Sequence, residues 1–465
     1  MFLEEWLAAV IRSEPGYDAG RRARIPAGAG RPLGRTEVRR YQGALLARVV
    51  RYAAAQSSFY GELFRRSGTR PEGIGGCDDI GRLPLTRQED VAREPYRFLC
   101  LSRARVERVH TFVTSGTTGP RKKIFWTRGD LGRIVRFMAA GIGTVAGRGD
   151  VVHICLPDGP PYSQADLLAR GVAAIGARAV VAGTGRSARE HLELIRRHGS
   201  TVLFGYAGPL YRLTRELEAL CDPGRCGVRV LFLAAEYVPE ARRRELERIW
   251  NCRVRTHYGL TEMGLGVAVE CEAGHGYHFN EADLLLEILD PVTLEPAAAG
   301  EEGELVFTTL NREAMPLLRY RTGDLSRWIP GPCPCGARSL LRFDAVRKRR
   351  ESIVTIGAGE EIYPTLFDDI LYALPGVLDY QVEVTRERGR PRLDFRVDLL
   401  PGPEDAAHTI AARLHGHPLI ERNLRRGEMA PPHVDILPPG ALKTAERAKK
   451  LVVDRRPLRR VTARA

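Results

Sequence analysis

No uninterrupted apolar stretch in this 465-residue chain approaches the roughly 18 residues needed to cross a bilayer. Its first segment, Met1–Val10, is short and carries Glu4 and Glu5, which does not suit a leader. Nine cysteines scattered over this length make no disulfide framework and fit a reducing compartment, so a soluble, cytoplasmic protein is expected. Aromatic residues make up only 7% and do not cluster among the basic ones, which argues against a nucleic-acid partner. The chain has no internal repeat and no low-complexity segment. Acidic residues are outnumbered, giving a net charge of +14. The arginines are spread along the chain as well as gathered at Arg347–Arg350 and Arg455–Arg460. Such a field favours small anionic substrates without requiring a nucleic-acid groove.

The familiar phosphate motifs are missing too. Thr114-Ser-Gly-Thr-Thr-Gly-Pro-Arg-Lys-Lys123 fits neither the P-loop spacing nor the dinucleotide Gly-x-Gly-x-x-Gly. It nevertheless has the composition of an anion cradle. Gly116 and Gly119 let the backbone approach phosphate oxygens, Ser115, Thr117 and Thr118 add hydroxyls, and Arg121, Lys122 and Lys123 add charge. The same composition also suits a polar turn between two strands. A strand-like run, Val109–Val113, precedes it.

The chain is too long for one typical core, so a large domain and a smaller one are expected. From about 107 to 260, strand-like runs (Val151–Leu156, Arg178–Val181, Thr201–Phe204, Val228–Leu233, Val254–Tyr258) alternate with helical ones (Ala188–Arg197, Leu210–Leu220, Pro239–Trp250). That alternation predicts an α/β fold, a mostly parallel sheet flanked by helices, with ligands at the carboxyl ends of its strands and the Ser115 loop among them. From about 262 to 345 the pattern turns β-rich, with strands expected at Leu284–Leu289, Glu304–Thr308 and Leu317–Arg321, which predicts a β subdomain of the N-terminal domain, residues 1–345. Residues 346–465 predict a small α+β domain beyond a hinge at Arg347–Arg350. Its expected elements are strands at Ile353–Ile356, Tyr380–Val384, Leu393–Val397 and His433–Leu437 and helices at Leu366–Leu374 and Glu404–Asn423.

Further segments sit after the predicted strands: Gly205-Tyr-Ala-Gly-Pro209, Ala234-Ala-Glu236 and Tyr258-Gly-Leu-Thr-Glu262, then Arg319-Tyr-Arg-Thr-Gly-Asp324. Glu262 can hold Mg²⁺, Thr261 can bond a phosphate oxygen, and Asp324 can accept both hydroxyls of a ribose. Tyr258 offers a flat ring for stacking. Taken in order with the Thr114–Lys123 loop, these segments resemble the adenylate-forming family of acyl-CoA synthetases, and within it the phenylacetate-CoA ligase-like branch. Tyr52–Tyr60, Leu83-Pro-Leu-Thr-Arg87, Val269-Glu-Cys271 with Gly276-Tyr-His278, Thr308-Thr-Leu310 and Cys333-Pro-Cys-Gly336 extend the resemblance over roughly residues 40 to 345.

The resemblance implies ATP-dependent conversion of a small carboxylic acid, aromatic acids included, to an acyl-adenylate with release of pyrophosphate, then transfer to the thiol of coenzyme A. It assigns pyrophosphate to Ser115, Thr117, Thr118 and Lys122, Mg²⁺ to Glu262 and ribose to Asp324. Ala235, Glu236 and Tyr258 would frame adenine, while Tyr206 and Gly259 through Leu265, including Leu260 and Gly264, would line the acyl pocket. A mobile C-terminal domain would bring in a catalytic lysine. The hinge departs from the family pattern, so Arg349 and Glu351 are placed as its arginine and acid. Lys443 is placed as the lysine, with Arg447 and Lys449 as alternatives; arginine is not equivalent there. Cys271, His278, Cys333 and Cys335 could hold a structural Zn²⁺, with His275 and Cys252 as substitutes, or stay free thiols and a core histidine. Other readings are an acyl transfer to a carrier protein or amine, a non-catalytic nucleotide-binding relative, and a zinc-containing nucleic-acid binder. A homodimer is the expected assembly.

Overall fold

The computed structural model describes residues 3–13, 33–112, 121–357, 359–401, 405–442 and 452–456. The first two strands form a separate antiparallel hairpin, β1 (Arg108–Phe112) and β2 (Lys122–Trp126). Then β3 (Val151–Cys155), β4 (Arg178–Val181), β5 (Val202–Tyr206), β6 (Val230–Ala234) and β7 (Arg253–Tyr258) run parallel. Helices Gln164–Ala174, Ala188–His198, Ala207–Glu218 and Glu240–Trp250 fill the connections. β3 and β6 are buried at every position, as expected for parallel strands covered on both faces. Alternation divides them: Val152, Ile154, Phe204 and Phe232 pack into one core, and Leu203, Leu231 and Leu233 into another against the Ala188–His198, Ala207–Glu218 and Glu240–Trp250 helices.

Two further strands extend this sheet: β8 (Ala268–Glu270) pairs antiparallel with β7, and β9 (Tyr277–Phe279) pairs antiparallel with β8. Next, β10 (Leu284–Leu289), β11 (Gly303–Thr309) and β12 (Tyr320–Ser326) form a meander, followed by β13 (Arg342–Phe343) and β14 (Lys348–Arg349). The large sheet has the order β13-β9-β8-β7-β6-β5-β3-β4 and the small one β10-β11-β12-β14. The region after 262 is therefore shared between two sheets, whereas the sequence predicts one attached β subdomain. A second correction concerns the Ser115 loop. β1 pairs with β2 outside the parallel sheet, so the strand that precedes the Ser115 loop is not a strand of that sheet.

Beyond β14, a hairpin of β15 (Val354–Ile356) and β16 (Glu360–Ile362) precedes long antiparallel strands β17 (Val377–Glu387) and β18 (Arg390–Leu399). β19 (His433–Leu437) and β20 (Val452–Asp454) add in parallel at the two edges. This unit has its own core, including Phe367, Tyr380, Phe395 and Ile420. The protein is thus α/β, with a large parallel-sheet body and a small C-terminal α+β unit. No helix among the described residues is long and apolar enough to cross a membrane.

Candidate active site

The ends of β6 and β7, strand β12 and the segment 346–368 enclose a cleft. Ala235, just past β6, is held at φ +72°, an unusual conformation for a residue with a Cβ and one that costs of order 1–3 kcal/mol. Glu236, Tyr258, Gly259 and Asp324 also line the cleft. Asp324 is fully buried. Its carboxylate accepts the Tyr258 hydroxyl at 2.5 Å and pairs with Arg349 Nε at 2.6 Å. The two come together because β12 and β14 run antiparallel with Asp324 directly opposite Arg349. Burial, then Asp324, push the Tyr258 phenol well above its ordinary pKa, so it remains a donor. Its ring packs edge-on to Phe343 and alongside Phe307. Gly323 has φ +75°, and a Cβ there would lie 2.6 Å from the Glu351 carboxylate; this position requires glycine.

Beside that cleft, Glu262 sits on a single turn, Thr261–Met263. Lys122 donates to its Oε1 at 2.7 Å and Tyr320 at 2.6 Å. Lys122 also donates to Gln88 Oε1 at 2.6 Å and to the Tyr320 oxygen at 2.8 Å. All three ammonium hydrogens are therefore used. The sequence reading puts Lys122 on the phosphate loop, but it lies on β2, buried, and here it holds Glu262. Burial raises the Glu262 pKa, yet the Lys122 charge and the two hydrogen bonds outweigh it and hold the carboxyl below its usual range. Arg312, over the Trp126 ring, donates to the Glu262 carbonyl at 2.6 Å.

Behind β7 lies an apolar chamber of about 410 Å³, counting space open to solvent. Thr127 caps the helix Arg128–Ile142 by accepting from Asp130 N at 3.0 Å, and that helix presents Phe137, Met138, Gly141 and Ile142 to the chamber. The i, i+1, i+4, i+5 spacing puts all four on one face. Leu156, Leu168, Phe204, Phe232, Gly266 and Val269 complete the wall, with Gln164 and His257 as its polar members. His257 also lines the cleft around Asp324, so the two spaces share a wall. Of the residues expected in an acyl pocket, Tyr206 stands outside this wall and donates to Gln164 Oε1 at 2.7 Å. Gly259 lies in the cleft, Leu260 and Leu265 in the main core, and Gly264 in a small neighbouring cavity.

Cys271, His278, Cys333 and Cys335 converge, with all four donor atoms within 4.8 Å of one another. Cys271 and Cys333 sulfurs are 3.5 Å apart, and Cys335 Sγ lies 3.6 Å from His278 Nε2. His275 and Cys252 are not in this group. Ser115, Gly116, Thr117, Thr118 and Gly119, together with Lys443, Arg447 and Lys449, lie outside the described residues. The sequence reading does not single out Gln88, His257, Gln164, Arg312 or the chamber wall, nor does it give Tyr320 a role of its own. Gln88 directly follows the quoted Leu83–Arg87 stretch, the one signal that pointed toward it.

Residues 110–311 match the family model of AMP-binding enzymes. A phenylacetate-coenzyme A ligase of Thermus thermophilus is 31% identical over 433 residues, covering 90% of this chain and 96% of that protein. The ligase of the same name from Aromatoleum evansii is also 31% identical, over 90% and 95% of the two chains. Among solved structures, a 2-hydroxyisobutyryl-CoA ligase in its postadenylation state superposes with a TM-score of 0.75 at 21% identity, covering 91% of this chain and 90% of that one. In its thioesterification state, at 23% identity over 90% of each chain, the TM-score is 0.63. The fold is that of an AMP-forming acid–thiol ligase. The chain belongs to the phenylacetate-CoA ligase family, and its reaction class is ATP-dependent activation of a carboxylic acid through an acyl-adenylate.

Proposed function

We propose that the protein activates a small carboxylic acid with an apolar, ring-sized body and passes the acyl group to coenzyme A. The observation that carries this reading is the apolar chamber sharing His257 with the cleft that holds Asp324. An acid seated in the chamber would extend its carboxylate toward the nucleotide. That carboxylate attacks the α-phosphorus and pyrophosphate leaves; the thiol then attacks the acyl carbon and AMP leaves. Asp324, fixed by Tyr258 and Arg349, is the proposed acceptor for the ribose hydroxyls, and Ala235 and Glu236 the proposed adenine edge.

Negative charge accumulates on the phosphate oxygens in the first step, so fixed positive groups matter most there. Glu262 Oε1 is committed to Lys122 and Tyr320; Oε2 is the atom proposed to hold Mg²⁺, which would offset that charge when bound. Lys122, Tyr320 and Gln88 are proposed as positioning residues for Glu262. The loop residues Ser115 to Gly119 and the cation Lys443 keep the roles the resemblance implies.

The Cys271, His278, Cys333 and Cys335 group is the proposed structural Zn²⁺ site. The 3.5 and 3.6 Å separations suit neighbouring vertices around an ion with ligands at about 2.0–2.3 Å. His278 Nδ1 lies 3.2 Å from the Leu341 carbonyl. Donating there would leave Nε2 for the metal.

The test is exchange of labelled pyrophosphate into ATP across a panel of aryl and short-chain acids, with wild type and Lys443→Ala, Arg447→Ala and Lys449→Ala. Exchange with at least one acid, lost in one variant, is expected. No exchange with any acid would sink the reading. Comparing coenzyme A, carrier-protein and amine acceptors identifies the second step. Light scattering checks the expected homodimer, and fractionation the expected cytoplasmic location.

A further inference from the structure

The chamber wall contains a polar atom that packing leaves unanswered. His257 Nδ1 is buried and has no hydrogen-bond partner, a rarity that calls for a reason in a native fold. The ring is held firmly: it stacks on Phe204 at 5.3 Å and 24° and meets Phe232 edge-on at 5.6 Å. Burial lowers its pKa to about 4 against an opposing hydrogen bond to the Tyr258 backbone, so it is a neutral imidazole with one N–H and one lone pair, of which Nδ1 is the atom left open. Gln164 is the other polar member of the wall. Its Oε1 is occupied by the Tyr206 hydroxyl, which orients the carboxamide and leaves its N–H₂ without a partner among the described residues. The rest of the wall is apolar side chains and glycine.

Resting on the ligase reading above, we propose that the acid carries a hydroxyl or amino substituent on its apolar body and that His257 and Gln164 are the residues that select for it. A plain hydrocarbon body would leave both groups unpaired in the bound state, whereas a substituted one pairs them. Sites built around buried polar groups discriminate strongly against analogues lacking the partner. Tyr206 serves as a positioning residue for Gln164.

The test uses the full-length enzyme and matched acid pairs: phenylacetate and benzoate against their hydroxy and amino derivatives. Wild type should favour at least one substituted acid over its parent by about tenfold or more in kcat/KM. Gln164→Leu, at a half-buried position, should bring that ratio to within about twofold of one, and His257→Phe should do likewise. Parents turned over as well as every substituted acid, or a ratio unchanged in both variants, would overturn the proposal. So would a uniform loss on all acids in both variants, which would mean that the two groups meet the carboxylate itself. None of these results touches the ligase reading, which fails only if no acid supports exchange.

Discussion

Lys122 and Glu262 form an ion pair whose side chains are only 2% and 6% exposed. Removing one partner of such a pair costs about 3–5 kcal/mol, because the other charge stays buried and uncompensated. Lys122→Met should therefore lose stability on that scale, and the pH dependence should change sign. In wild type the folded carboxyl has the lower pKa, so the pair stabilises above the unfolded value of about 4.3, and this contribution is lost as pH falls through the folded value. Without Lys122, burial dominates and raises the folded pKa, so Glu262 would then cost stability as pH rises above about 4.3. Urea unfolding between pH 4 and 7 compares the two slopes; parallel slopes would refute the argument. At this scale, Asp324, Glu262 and Tyr258 were readable because motif order marks them. His257 and Gln164 were not, since a histidine inside a strand and a glutamine opening a helix acquire meaning only when helix Arg128–Ile142 closes the chamber.

Elements with a strong period were legible. Arg178–Val181, Leu284–Leu289 and His433–Leu437 match the structure to the residue. The expected helix Glu404–Asn423 is instead two, Ala406–His415 and Pro418–Arg425, because Pro418 lacks the N–H to continue a helix and suits the first turn of a new one. The expected strand Leu317–Arg321 lies further on, at Tyr320–Ser326. Leu317 and Leu318 are buried before the ladder begins, so their apolar character signals core and not strand. The Cys271, His278, Cys333 and Cys335 cluster joins β9 to the turn before β13, two short pieces with little ladder of their own. If it holds Zn²⁺, the purified protein should contain about one equivalent by elemental analysis. Cys335→Ser should lower both that content and the melting temperature by several degrees. A metal-free wild type with the same melting temperature as the variant would exclude the metal.

Across the whole molecule, the small unit is held to the large one by buried arginines. Arg212, on helix Ala207–Glu218, pairs with Asp379 at 3.1 Å and Asp398 at 3.0 Å. Arg242 lies over the Tyr372 ring at 3.6 Å and donates to the Leu378 carbonyl at 2.9 Å. Arg212→Ala leaves the fully buried Asp398 without its cation. A loss of about 3–5 kcal/mol is expected, together with faster trypsin cleavage within Arg347–Arg350; unchanged cleavage would mean this contact does not hold the units together. Composition alone could not reveal that contact, because the same arginines also account for the chain's excess charge. A last consequence comes from the register of β12 and β14. Arg349 is at once a rung of that ladder, opposite Asp324, and the counter-ion of the Asp324 carboxylate. Turning the small unit about this point and releasing the ligand proposed for Asp324 would thus share one degree of freedom. By thermodynamic reciprocity, any effector that favours the turn must loosen that ligand by the same factor by which the ligand opposes the turn.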